Sequence, residues 1–259
     1  MNGAPIANAA ANWRRRKKRS SLSVNSKAAA VIAVLFLTAF RISAAVVEKT
    51  GTFSGMTVHY KIVLPEPYDP AKAYPGILAF SGGSQALNTV DMDLRRNWRA
   101  EAEKRGYIVA IPVAPDGRLF FEDGARIFPE FIRTILAGYK ILDDKFHVAG
   151  PSNGGISAFH MAASYPQYFW SITGYPGYLQ DATPARVRAL SKMCVFMFAG
   201  ELDADWSGEM KTQSQQFRAQ GLSVRTSVEK GQPHLIDTLA GDGAARLFDQ
   251  FEQARKGCN

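Results

Sequence analysis

The folded part of this chain carries no surplus charge. The full 259 residues have a formal net charge of +8, which on its own invites a nucleic-acid reading. All of that excess lies in residues 1–45, as Arg14, Arg15, Arg16, Lys17, Lys18, Arg19, Lys27 and Arg41, with no acidic residue among them. Residues 46–259 hold 23 basic and 23 acidic residues. A nucleic-acid partner is therefore not expected, because binding one needs basic residues on the folded body to neutralise phosphates. Cysteine is scarce as well, with only Cys194 and Cys258. No metal-ligand cluster, nucleotide loop, internal repeat or low-complexity tract is evident, so no cofactor or metal is expected. Long hydrophobic runs are also missing: the uncharged stretch Ala28–Phe40 has 13 residues, against about 20 for a spanning helix.

The sequence divides into a leader, residues 1–45, and one domain, residues 46–259. A cationic run (Arg14–Arg19), the apolar stretch Ala28–Phe40 and the small residues Ser43-Ala44-Ala45 follow one another in the order of a secretory signal. Export with cleavage near Ala45 is the expectation, to a secreted or periplasmic location. An uncleaved signal anchor is the alternative, and it would be the chain's one link to a membrane. About 214 residues then remain, enough for one sizeable core and too few for two ordinary domains.

From about residue 57 onward, β-rich apolar runs alternate with amphipathic segments. The strand-like runs are 57–64, 76–81, 107–113, 146–150, 170–174, 194–200 and 222–228. The helix-like segments are 91–105, 124–139, 152–164, 183–191, 208–220 and 236–255. In the first of these, Leu94, Trp98 and Ala102 form an apolar stripe beneath a charged face. Such alternation predicts an α/β fold, with a mostly parallel sheet flanked by helices on both faces. Ligands in such sheets bind beyond the carboxyl ends of the strands, so chemistry should follow each strand-like run.

Several stretches pass that filter. Gly150-Pro151-Ser152-Asn153-Gly154 is G-x-S-x-G between a strand and a helix, a tight turn that lifts a serine hydroxyl above the sheet. The strand 194–200 ends at a glycine, and Asp203 follows three residues on, with Asp205 in reserve as the acid partner. These acids could instead cap the next helix. Asp203-x-Asp205-x-Ser207-Gly208 also matches the first half of a calcium loop, but its twelfth position is Ser214, where a bidentate Glu is required. His234 stands in a Gly/Pro turn after the last strand. Of the other histidines, His59 lies within an early strand, His147 on the nucleophile's own strand, and His160 two helical turns beyond Ser152. None of these readily faces Ser152 from a loop, and the chain order Ser…Asp…His favours His234 as the base. Finally, the strand 76–81 runs into Gly82-Gly83. The Gly83 and Asn153 N–H groups are the candidate oxyanion donors.

With these motifs in view, the chain resembles the α/β-hydrolase superfamily. The likeness rests on residues 146–178 together with SGG at 81–83, GELD at 200–203 and PH at 233–234. Within the superfamily it is most similar to secreted esterases of the polyhydroxybutyrate depolymerase and feruloyl esterase type. Ser152-Asn153-Gly154-Gly155 and Tyr165-Pro166 match their pattern, whereas Ser81-Gly82 stands where they usually carry His-Gly. The resemblance implies hydrolysis of a small-molecule or polymeric carboxylic ester through an acyl-enzyme on Ser152, with Asp203 and His234 completing the triad. A peptidase or amidase, and a non-catalytic module that keeps the fold, are the alternatives.

Two structural expectations follow. The gap from residue 175 to 193 is too short for a large cap, which predicts an open cleft lined by Phe120, Phe121, Tyr175, Tyr178 and Trp206. Cys194 begins its strand at the bottom edge of the sheet, where an antiparallel final helix would return Cys258. That geometry tips the balance towards a disulfide over two free thiols.

Overall fold

The computed structural model describes residues 46–258, so the expected leader lies outside the described residues. Eight strands form one sheet in the order β1-β2-β4-β3-β5-β6-β7-β8. The hairpin of β1 (Val46–Phe53) and β2 (Met56–Val63) is antiparallel, and β2 joins β4 (Ile108–Pro112) antiparallel. From there the sheet is parallel throughout: β4, β3 (Tyr74–Ala79), β5 (Ile141–Gly150), β6 (Phe169–Gly174), β7 (Cys194–Gly200) and β8 (Val224–Glu229).

The central strands are apolar on consecutive residues because both faces are covered. Along β7, Val195, Met197 and Ala199 enter one core while Cys194, Phe196 and Phe198 enter the other. The first core packs under α3 (Phe128–Gly138), α4 (Asn153–Ser164), α5 (Pro184–Ala189) and α6 (Ala204–Ala219). Opposite lie α1 (Leu87–Asp93), α2 (Arg99–Arg105) and α7 (Ala245–Lys256). A π-helical turn, Leu94–Trp98, makes α1 and α2 one helical run, and the expected stripe Leu94, Trp98 and Ala102 is buried. The mostly parallel sheet with helices on both faces is thus observed.

Several elements differ from expectation, among them β5, which starts at Ile141, five residues before the expected Phe146. Strand β1 had no sequence signal: Phe53 is its one buried residue, and its strand character comes from pairing with β2. Helix α6 starts at Ala204, four residues before Gly208. The final helix starts only at Ala245, after 3₁₀ turns at Asp237–Leu239 and Gly241–Ala244. Glycines at 241 and 243 explain that delay, since glycine is costly inside an α-helix. Between β6 and β7 the chain holds only the six-residue α5, leaving no room for a large cap.

Cys194 and Cys258 are joined in a disulfide, Cα atoms 5.0 Å apart, tying the start of β7 to the chain beyond α7.

Candidate active site

Strand β5 ends at Gly150 and α4 begins at Asn153, so the chain reverses within two residues. Ser152 takes φ 55° and ψ −125°, a conformation rarely adopted by a residue with a side chain. Its N–H donates to Pro176 O at 2.7 Å, while Gly154 N–H donates to Pro151 O at 2.8 Å. The turn is packed backbone to backbone. A Cβ on Gly154 would lie 2.4 Å from Phe80 O, and one on Gly150 would lie 2.5 Å from the Gly154 carbonyl carbon. Such a strained strand–turn–helix is the context in which a G-x-S-x-G serine projects above the sheet.

The loops after β7 and β8 are brought together in the same way. A Cβ on Gly200 would meet Pro233 O at 2.2 Å, so only glycine allows this approach. Leu202 N–H donates to Gln232 O at 2.9 Å and Gly231 N–H to Glu201 Oε2 at 2.8 Å. Across this seam Asp203 Oδ2 lies 2.7 Å from His234 Nδ1. The Asp203 side chain is 13% exposed and the imidazole 37%, so a shielded carboxylate holds a ring that reaches the surface. An Nδ1 proton shared with the carboxylate leaves Nε2 as the acceptor. The Trp206 ring meets the imidazole edge-on, centroids 5.0 Å apart. Asp205, the reserve acid, is exposed in the first turn of α6. That helix also takes up most of the calcium-like stretch.

Ser152, Asp203 and His234 follow the carboxyl ends of β5, β7 and β8, on one rim of the sheet. The Ser152 hydroxyl makes no hydrogen bond among the described residues. Contacts of this kind often tighten only when substrate is bound.

The fourth stretch forms a turn closed by Gln85 N–H donating to Gly82 O at 3.1 Å. Asn153 Nδ2 donates to Gly83 O at 2.8 Å, which ties this turn to the nucleophile turn. The Gly83 and Asn153 N–H groups have no hydrogen-bond partner among the described residues.

Two buried residues that the sequence reading missed hold this loop. Asp93 accepts Gly82 N–H at 2.9 Å. Gln85 donates to Ser157 Oγ at 2.8 Å and accepts Phe120 N–H at 3.0 Å. A signal for Asp93 existed. Asp93, Asn97 and Glu101 precede Leu94, Trp98 and Ala102 by one residue each, and all three are buried. The buried sector of this helix is simply wider than the apolar stripe.

The remaining histidines are engaged elsewhere. His59 Nδ1 pairs with Thr50 Oγ1 on the neighbouring strand, His147 Nδ1 with Ser171 Oγ in the core, and His160 Nδ1 with Arg186. Burial lowers the His147 pKa to about 3, so that ring stays neutral. Of the aromatics expected at the cleft, Phe120 and Tyr175 are core residues, 0% and 3% exposed. Phe120 packs on Phe80 and Phe128, and Tyr175 on Trp98, so both rings join the cores and not the rim. Phe121, Tyr178 and Trp206 keep partial exposure, and Tyr178 packs on Trp206 at 5.1 Å. A groove of about 540 Å³ lies between α6 and strands β7 and β8, beside the candidate site. Its lining includes Met197, Met210 and Val228 but neither Ser152 nor His234.

No protein-family model and no curated protein sequence matches the chain. Solved structures do. A thermostable esterase aligns with a TM-score of 0.64 at 17% identity over 82% of this chain, which spans 62% of that protein's length. A ferulic acid esterase aligns at 0.59 and 17% identity, covering 83% of this chain and 99% of the other. An S-formylglutathione hydrolase from Agrobacterium tumefaciens aligns at 0.59 and 15% identity, covering 80% and 94%. At these identities the likeness is one of fold, and the fold is that of the α/β-hydrolases.

Proposed function

We propose that the chain is an exported serine hydrolase that cleaves carboxylic esters through an acyl-enzyme on Ser152. The observation that carries this reading is the 2.7 Å pair of Asp203 and His234, built on two loops at the rim that also bears a serine in a strained turn. In the mechanism, His234 Nε2 takes the Ser152 proton as the oxygen attacks the acyl carbonyl. Asp203 keeps the ring in the tautomer that leaves Nε2 free and stabilises the imidazolium that forms. The negative oxygen of the tetrahedral intermediate is received by the unpartnered N–H groups of Gly83 and Asn153, the latter at the positive end of α4. His234 then returns the proton to the leaving alcohol, and water repeats the sequence to release the acid.

Export is supported by the leader's layout and by the Cys194–Cys258 bond, since such bonds persist mainly in oxidising compartments. No helix among the described residues is long and apolar enough to cross a membrane. The open rim, bordered by Tyr178 and Trp206, suits a small-molecule or polymeric ester. Chromogenic esters and anilides, offered to the purified wild type and Ser152→Ala, test the reading. Ester turnover that vanishes in the variant is expected. Turnover of anilides alone would move the reading to an amidase, and no turnover of either by a folded protein would remove it.

A further inference from the structure

Asp93 is a buried carboxyl that the mechanism above leaves unused. It closes α1 and is 1% exposed. Burying a carboxylate is costly unless hydrogen bonds compensate. Burial pushes its pKa up to about 6, while the Gly82 N–H and the Arg96 charge pull the other way. Arg96 is itself committed to Asp237 at 2.8 Å. The other titratable group facing Asp93 is the Tyr175 hydroxyl, contributed by the loop after β6. That hydroxyl is buried, has no hydrogen-bond partner among the described residues, and its pKa is raised by burial first and by the Asp93 charge second. Among the described residues its one hydrogen bond is the one it accepts from Gly82 N–H.

That bond completes a series. Three successive peptides of the loop are pinned by three different groups: Ser81–Gly82 through Asp93, Gly82–Gly83 through Gln85 N–H on the carbonyl, and Gly83–Ser84 through Asn153 Nδ2 on the next carbonyl. Gly83 N–H lies in the middle peptide, opposite the pinned Gly82 carbonyl. With both neighbouring peptides also fixed, its direction is set. Asp93 and Asn153 hold the two ends of a loop whose glycines would otherwise turn freely.

We propose that Asp93 is a positioning residue for the oxyanion donor, acting through Gly82 to aim the Gly83 N–H. The inference rests on the Ser152 reading above. It assigns to Asp93 no contact with substrate, so its loss should appear in the chemical step and not in binding.

The test compares p-nitrophenyl acetate kinetics of the full chain as wild type, Asp93→Asn, Asp93→Ala, Asp93→Leu and Ser152→Ala. Asn keeps a side-chain carbonyl that can accept from Gly82 N–H, whereas Ala and Leu do not and differ in volume. Ala and Leu should lower kcat by about 10–100-fold with KM within about threefold, since misplacing a catalytic group by about 1 Å costs up to about 100-fold. Asn should stay within about threefold of wild type in kcat. A folded Ala or Leu variant with wild-type kcat, or one whose whole loss lies in KM, overturns the proposal. So does a folded Asn variant that loses more than about tenfold in kcat, the decisive arm should both apolar variants fail to fold. Activity persisting in Ser152→Ala would instead overturn the serine reading, and this inference with it.

Discussion

Glu229 offers a test of how the loop carrying His234 is held. It ends β8, and both carboxylate oxygens are bonded to Arg246 of α7, at 2.7 and 2.8 Å. Ser227 Oγ and Thr238 Oγ1 donate to it as well, at 2.7 and 2.9 Å. The Arg246 bonds lower its carboxyl pKa from 4.5 to about 2, with burial opposing. A carboxylate depressed in this way stabilises the fold above its unfolded pKa, and the stabilisation is lost as pH falls through the folded value. The shift corresponds to about 3 kcal/mol, fully present at neutral pH and draining away between roughly pH 4.5 and 2. The Glu229→Gln variant keeps the shape and removes the charge. Urea unfolding of both proteins at pH 7, 4 and 3 measures the difference. A gap of about 3 kcal/mol at pH 7 that narrows steadily towards pH 3 is expected. A gap below about 0.5 kcal/mol at pH 7, where an exposed ion pair would fall, or one that does not change with pH, would show that the Arg246 bonds do not hold Glu229 ionised.

Other parts of the structure make their own predictions. Reducing the Cys194–Cys258 bond, or replacing Cys258 by Ser, should lower stability by about 2–4 kcal/mol, given a sequence separation of 64, as read by denaturant unfolding. Gly154→Ala places a Cβ 2.4 Å from Phe80 O, where no flexible side chain can yield. It should cost at least about 2 kcal/mol of stability and most of the ester turnover. Asp203→Asn should leave the fold intact in circular dichroism while kcat falls by about 10³–10⁴-fold through loss of the productive tautomer.

Strand β7 was legible end to end because every residue from Cys194 to Gly200 is buried, and a strand covered on both faces must be apolar throughout. Strand β1 was not, since its residues are mostly solvent-facing and its identity lies in the partner it pairs with. The candidate site divides along the same line. Ser152, Asp203 and His234 are marked locally, by glycines or proline and by their place after a strand. Asp93 and Gln85 have no local mark that names their partners. Asp93 meets Gly82 across 11 residues and Gln85 meets Ser157 across 72, contacts that exist only once the chain has folded. Phe120 and Tyr175 show the same limit from the other side: an aromatic on a rim loop can turn inward, and its sequence position does not say which way it faces.

A hydroxyl made nucleophilic by one imidazole and one carboxylate should react selectively with an electrophilic phosphonate. Treating the folded protein with a fluorophosphonate and locating the adduct by mass spectrometry tests it most directly. A single adduct on Ser152 is predicted, absent in Ser152→Ala and formed at least about 100-fold more slowly in His234→Ala. Adduct formation that persists in Ser152→Ala, or proceeds at the wild-type rate without His234, would overturn the assignment of Ser152 as nucleophile and His234 as its base.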